Sequence, residues 1–278
     1  LKILITGSTG FIGKNLVEYY NSPENTIIEY IKWEDVFVWL NLHKPDLILH
    51  CAAEIYDESS MFVSNVQLTQ NILMWVKKNP ETKMIYIGSS AEYGIMYESS
   101  KETHPINPYN VYQATKGAAT LLCQGYAREY NLNLKIARVY SAFGNHEKPR
   151  RLFPTLYRAF FKNESFHLYE GYHDFIYIKD FIRGIDMLIK SPKNPGEIVN
   201  FGSGIQSSNL EVLNTWKNIC DTEPPIIYHN EITPNKYESS CWVCNTEYAQ
   251  SSLGFKTEFT LTEGIKDFIK IQGEHAFN

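Results

Sequence analysis

Two tyrosines and a lysine stand close together in NPYNVYQATKGAA, residues 107–119. Tyr109, Tyr112 and Lys116 are spaced so that on a helix all three can share one face. A phenol has a pKa of about 10, too high for easy proton exchange at neutral pH, and a nearby ammonium favours the phenolate and lowers it. Upstream, IGSSAEYG (87–94) ends an apolar run with Ser89 and Ser90. A serine hydroxyl there can hold a reacting oxygen in line with the phenol. Together these residue types can pass a proton to or from a hydroxyl or a ketone. Which tyrosine does so is open at this level.

A second motif gives the proton somewhere to be useful. TGSTGFIG (6–13) carries Gly7, Gly10 and Gly13 at G-x-x-G-x-x-G spacing, with Thr9, Phe11 and Ile12 filling the turn. Glycines let the backbone turn tightly and approach a pyrophosphate, and a following helix supplies free N–H groups and a favourable dipole. The spacing alone is weak, but here it sits at the first strand-to-helix junction. A dinucleotide site commonly has an acid at the end of the second strand for the ribose hydroxyls. Here that end reads EYIKWED: Glu29 falls within the strand, and the expected site falls near Ile31 or Lys32. Lys32 suits a 2′-phosphate, which tilts the expectation to NADP(H) over NAD(H).

The elements that must position these groups alternate. LKILITG (1–7), NTIIEYI (25–31), PDLILHCAA (45–53), KMIYIGSS (83–90) and LKIARVY (134–140) read as strands. Helical patterns separate them at FIGKNLVEYY, EDVFVWLNLHK (34–44), NVQLTQNILMWVKKN (65–79) and VYQATKGAATLLCQGYAREYN (111–131). Such β–α alternation predicts an α/β fold, a Rossmann-type doubly wound parallel sheet with a smaller C-terminal substrate-binding lobe. Right-handed crossovers then bring the loops after each strand to one edge, where ligands bind. Beyond about residue 145 the order loosens. PRRLFPTLYRAFFKN looks helical, HDFIYIKDFIRGIDMLIK reads as a strand entering a helix, GEIVNFGSG as a strand, and SNLEVLNTWKNI as a helix capped by Ser or Asn with Glu211 near its third position. The expected division is a dinucleotide domain over 1–145, with 174–202 returning to it, and a smaller lobe over 146–173 and 203–278.

Composition excludes other classes. The 278 residues carry a net charge of −5 with no basic run, which argues against a dedicated nucleic-acid binder. No apolar stretch approaches the ~20 residues of a membrane span, and the first strand begins at Leu1 or Lys2, so no signal peptide is expected. Five scattered cysteines suit a reducing cytoplasm. Cys241 and Cys244 form a C-x-x-C with no second pair and no histidine at ligand spacing, so they read as packed residues on an alternating strand and no metal is expected.

Nearly end to end, the chain resembles the extended short-chain dehydrogenases/reductases, the group of nucleotide-sugar epimerases, dehydratases and 4-keto reductases. TGSTGFIG, HCAAEI, NVQLTQNIL, SSAEYG, YQATK, ARVYSAFG, HDFIYIKD, EIVNFGSG and LGFKTEFTLTEGIKDFI carry the likeness. The resemblance implies that Ser89 is the catalytic serine, Tyr112 the acid/base tyrosine, and Lys116 the lysine that also bonds the nicotinamide ribose. It further implies that Gly7, Gly10 and Gly13 form the pyrophosphate turn, that Ala52 and Ala53 line the dinucleotide, and that Asn65 lies close to it. Ser141 stands where relatives often have an asparagine touching the sugar nucleotide. A nucleoside diphosphate sugar as substrate and a homodimer, joined through the helices at 65–79 and 111–131, are implied in the same way. Tyr109, preceded by Pro108, is then a residue of the helix entrance.

Departures from the family pattern narrow the activity. The 4,6-dehydratases carry Asp-Glu directly after the catalytic Ser or Thr, where this chain has Ser90 and Ala91. The short span between the second and third strands resembles the 4-keto reductase branch more than the galactose 4-epimerase branch. The cysteine and histidine with which GDP-fucose synthase epimerises correspond here to Ala91 and Arg151. The family's arginine before DFIYI, which often holds a phosphate, is His173 here, while Arg150, Arg151 and Lys236 lie in segments that face substrate in relatives. The resulting expectation is reduction of a 4-keto-6-deoxy sugar nucleotide at C4, with 4-epimerisation as the alternative.

Overall fold

A computed structural model describes residues 1–30, 35–228 and 241–275. The chain opens with β1 (Lys2–Thr6), α1 (Phe11–Tyr20), β2 (Thr26–Tyr30), α2 (Val36–His43) and β3 (Leu47–His50). Next come α3 (Glu58–Met61), a π-helical segment Phe62–Gln67 and α4 (Leu68–Lys78), running on without a break. β4 (Lys83–Ser89), a 3₁₀ turn Ser90–Tyr93, α5 (Val111–Glu129) and β5 (Leu134–Val139) follow.

These strands form a parallel sheet in the order β2-β1-β3-β4-β5-β9, its last strand being β9 (Ile198–Phe201). The architecture is α/β and Rossmann-like, as the alternation predicts. Period-2 side-chain geometry makes it two-sided. Ile3, Ile5, Leu47 and Leu49 enter one buried cluster, and Leu4 and Ile48 enter the other, across the sheet. At ~1.5–3 kcal/mol for each fully buried aliphatic side chain, these two layers hold the site's platform rigid. Among the described residues, the side of the sheet beyond β1 holds β2 alone, one strand fewer than the 3-2-1-4-5-6 order. The cause is the short connection to β3, whose described part is the eight-residue α2.

Caps set the helix entries that matter for the site. Asn110 is the N-cap of α5, its side chain accepting the Gln113 N–H at 2.9 Å. Asp35 does the same for α2 through Phe37 N–H at 2.8 Å. The helix expected over 65–79 begins earlier, at Glu58, and is interrupted by the π segment. There the Leu68 N–H reaches back to the Val63 carbonyl, the wider turn that admits one extra residue and breaks the 3.6 period.

Beyond β5 come β6 (Ser141–Phe143), α6 (Leu152–Lys162), β7 (Phe166–Leu168), β8 (Tyr172–Tyr177) and α7 (Ile178–Lys190) before the chain rejoins the sheet at β9. β10 (Gln206–Ser208), α8 (Asn209–Cys220), β11 (Ile226–Tyr228), α9 (Glu247–Leu253) and α10 (Leu261–His275) complete it. β10, β8 and β6 make a three-stranded sheet, and β7 pairs with β11. Ser208 caps α8 in a capping box with Glu211. The strand expected around Cys241 and Cys244 is absent. Cys244 makes one isolated bridge to Ser100 and gives its N–H to the Asp174 carboxylate at 2.9 Å, so a side chain, not a ladder, satisfies that backbone. Neither cysteine forms a disulfide.

Candidate active site

The C-terminal ends of β1, β3, β4 and β5 open into a cleft of about 390 Å³. At its floor lies the glycine turn. Gly7 has φ +67°, and a Cβ there would stand 2.8 Å from the Ala52 nitrogen. A Cβ on Gly13 would stand 2.1 Å from the Gly7 carbonyl oxygen. Only glycine fits at either place. Gly10 is the N-cap of α1 and makes no side-chain cap bond, so the first amides of that helix are not taken up by a capping side chain. A tight glycine turn against an uncapped helix start has the shape and donors that fit the pyrophosphate of a dinucleotide.

The third strand holds that cradle in place. Thr6 Oγ1 accepts the Ala52 N–H at 3.1 Å and shares a 2.6 Å hydrogen bond with His50 Nδ1, while His50 Nε2 meets Thr69 Oγ1 at 2.8 Å. Burial pushes His50 down to about 3, so it is a neutral strut. Asn65 is 1% exposed, and its amide is spent on the loop after β3: it accepts the Glu54 N–H at 2.7 Å and donates to the Glu54 carbonyl and to Thr115 Oγ1. It braces the chain next to Ala53 and does not itself line the cleft; nor do Thr9, which is exposed, or Ala52. Gly7, Gly10, Phe11, Ile12, Gly13 and Ala53 do line it. Lys32 and Lys236 lie outside the described residues.

Ser89, Tyr112 and Lys116 line the same cleft. Ser89 closes β4, and Tyr112 and Lys116 stand one turn apart near the start of α5. The Ser89 hydroxyl acts on the Tyr112 phenol across the cleft, drawing its pKa down. Tyr109 precedes the cap Asn110, and its N–H donates to Gln113 Oε1 at 2.7 Å, which places it outside the helix. Lys116, 4% exposed, donates from Nζ to the Ile87 carbonyl at 2.6 Å and lies 4.3 Å from the centre of the Tyr86 ring. Burial pushes this ammonium down to about 8, against the pull of Glu92.

The phenol differs from the sequence expectation. Burial, with Glu92 adding, pushes Tyr112 above the usual tyrosine range, opposed by the Ser89 hydrogen bond and by Arg151. Desolvation outweighs charge here because the Lys116 side chain reaches under β4 instead of along the phenol.

The opposite wall supplies recognition groups. Ser90 and Ser141 both line the cleft, and Ser141 Oγ shares a 3.2 Å hydrogen bond with His173 Nδ1. Burial, with Arg151 adding, pushes His173 down to about 4, so it is uncharged at neutral pH. Arg151 is the N-cap of α6, with its Nε 3.4 Å from Glu147 Oε1. It carries a positive charge where His173 does not.

Sequence reasoning missed several lining residues, Tyr56, Tyr140, Glu147 and Trp242 among them. Tyr56 carries the Arg150 guanidinium 3.4 Å above its ring, closing one rim. Trp242, Tyr140 and Glu147 also face in. Glu147 is pushed up to about 7 by burial, which the neighbouring Arg151 opposes. A lone Glu in a polar loop and a Trp between two cysteines carry no motif that marks them. Among the described residues no cluster of three or more His, Cys, Asp or Glu side chains could hold a metal, and no helix is long and apolar enough to cross a membrane.

The model of the NAD dependent epimerase/dehydratase family matches residues 3–202, which span the glycine turn, the serine, the tyrosine and the lysine. The chain belongs to that family. Among its curated relatives, the low-salt glycan biosynthesis protein Agl12 of Haloferax volcanii is 28% identical over 248 residues, covering 76% of this chain and 80% of that protein. The uncharacterized UDP-glucose epimerase YtcB of Bacillus subtilis is 22% identical over 309 residues, covering 97% of both. Among solved structures, dTDP-glucose 4,6-dehydratase of Bacillus anthracis in complex with NAD superimposes with a TM-score of 0.88, at 20% identity, over 100% of this chain and 98% of that one. The epimerase/dehydratase fold is thus kept across the full length, although the sheet has a short second crossover.

Proposed function

We propose that the protein is an NAD(P)-dependent nucleotide-sugar oxidoreductase that reduces C4 of a nucleoside diphosphate 4-keto-6-deoxy sugar. The observation that carries this reading is the single cleft lined by the glycine turn, Ser89, Tyr112 and Lys116. A nicotinamide dinucleotide held by Gly7, Gly10, Phe11, Ile12, Gly13 and Ala53 supplies the hydride. Ser89 holds the C4 oxygen, and Tyr112 gives it the phenolic proton. Lys116 fixes the ribose and keeps a buried positive charge beneath β4. Ser90, Ser141 and His173 line the sugar, and Arg151 meets the diphosphate.

Residues 1–145 with 174–202 serve the dinucleotide in this reading, and 146–173 with 203–278 the sugar nucleotide. Ser90 and Ala91, where dehydratases have two acids, speak against dehydration. The preference for NADP(H) rests on Lys32 alone. The two named relatives pair different bases, UDP and dTDP, with glucose, so the base stays open. Mixing the protein with NADPH and a panel of 4-keto nucleotide sugars tests the proposal: substrate-dependent loss of nicotinamide absorbance is expected, and its absence with every member sinks it.

A 4-epimerase reading is favoured by one observation, the full-length match to a protein named as a UDP-glucose epimerase. The same groups would then take the proton of the C4 hydroxyl while NAD⁺ takes the C4 hydride, and both would return after the keto sugar turns over in the pocket. Release of NAD⁺ from the denatured protein, together with equilibration of a UDP-sugar without added cofactor, would select it. A homodimer built on α4 and α5 fits either reading, since Met74 and Leu121 on those helices are 42% and 58% exposed. The cellular site proposed is the cytoplasm, where nucleotide sugars and reduced thiols coexist.

A further inference from the structure

Beneath the triad lies a buried ion pair that the chemistry above does not use. Glu92 is 0% and Arg138 1% exposed, and Arg138 Nε donates to Glu92 Oε2 at 2.8 Å. Glu92 Oε1 accepts the Ser89 N–H at 2.8 Å, and Ser89 Oγ accepts the Ala91 N–H at 3.2 Å. Ser89 is thus the N-cap, and Glu92 the third residue, of a capping box on a 3₁₀ turn. Both carboxylate oxygens therefore accept a hydrogen bond. The preceding Gly88 makes room, since a Cβ there would stand 2.9 Å from Glu92 Oε1.

We propose that Glu92 is a positioning residue for the proposed reaction: its carboxylate fixes the backbone at Ser89 and lies against Gly88, next to the Ile87 carbonyl that binds Lys116 Nζ. The inference rests on the reading of Ser89, Tyr112 and Lys116 as the reacting set. The groups facing Lys116 are Glu92 from the 3₁₀ turn, Cys123 from α5, Cys51 and His50 from β3 and the residue after it, and the Tyr86 ring from β4. Those facing Glu92 are Arg138 from β5, Tyr86 from β4 and Tyr112 from α5. Glu92 is the strongest influence holding Lys116 up against burial, and the same carboxylate raises Tyr112. Removing its charge lowers both.

The test needs no substrate in its first arm. With lysine labelled at Cε, NMR follows the titration of Lys116 in the whole protein, assigned by the signal lost in Lys116→Met. In the parent protein it titrates near 8. In Glu92→Gln the midpoint falls by about half a unit or more, and in Glu92→Asp, which keeps the charge, it stays. Should Glu92→Gln fail to fold with Arg138 left unpaired, Glu92→Gln with Arg138→Gln is compared with Arg138→Gln alone, and a lower Lys116 midpoint is expected in the double variant. An unchanged Lys116 midpoint in a folded variant without the carboxylate overturns the proposal, whatever the enzyme's substrate proves to be. In the second arm, with a substrate in hand, the alkaline limb of kcat moves down in Glu92→Gln. In Glu92→Asp kcat falls, while that limb and KM stay. A shorter carboxylate with full kcat overturns the positioning half.

Discussion

Lys116 shows a cost that function imposes on stability. Its ammonium is buried and pushed down to about 8 from 10.5, so the folded state holds its proton less tightly than the unfolded chain. That penalty is fully present below about 8 and fades as pH rises toward 10.5. At pH 7, Lys116→Met should therefore stabilise the fold by about 1–3 kcal/mol while turnover is lost, read by thermal melting beside an activity assay. Turnover of the parent enzyme should decline as pH rises through about 8, where the ammonium loses its proton. Tyr112→Phe should lower kcat by about 10²–10⁴ and leave dinucleotide affinity unchanged, because the phenol serves the sugar oxygen. Tyr112 and Lys116 were legible because one helical turn is a local spacing. Glu92 was not, because its partner Arg138 is 46 residues away.

At the scale of elements, the glycine turn and α1 act as one part. Gly13 sits where any side chain meets the Gly7 carbonyl, so Gly13→Ala should cost about 1–3 kcal/mol and abolish dinucleotide binding. Urea unfolding and nicotinamide fluorescence read the two effects; normal binding would show that the turn can open without penalty. The strands of the main sheet were legible because buried parallel strands read as short apolar runs. β6, β7, β10 and β11 were not separately visible, being three residues each and only partly apolar. The π segment was hidden for a related reason: a period that changes within six residues leaves no pattern to read.

For the whole molecule, two consequences concern bulk behaviour. His50 and His173 are held neutral, near 3 and 4, against 6.5 in the unfolded chain. For bases with depressed values the unfolded state takes up protons first, so stability should fall as pH drops from 6.5 toward 4. Urea midpoints at pH 7 and pH 5 measure this, and His173→Gln should recover about 1 kcal/mol of the loss at pH 5. Leu121, exposed on α5, should be covered in the proposed dimer. Leu121→Glu is expected to halve the mass found by light scattering; an unchanged mass would place any association elsewhere.

The sequence by itself determined the class of fold and the order of the main-sheet strands through β5, and it singled out the groups proposed here to move a proton. Each depends on short-range spacing: a period of 2 or 3.6, three glycines in seven residues, four positions between a phenol and an ammonium. Only the tertiary structure decided their electrical state. Burial raises Tyr112 and lowers Lys116 and His173, and burial is the sum of contacts from strands far apart in the chain. It also decided which neighbours join the cleft, bringing Tyr56 to Arg150 and Trp242 to the far wall, because packing segments far apart in the chain is not a periodic property of any of them.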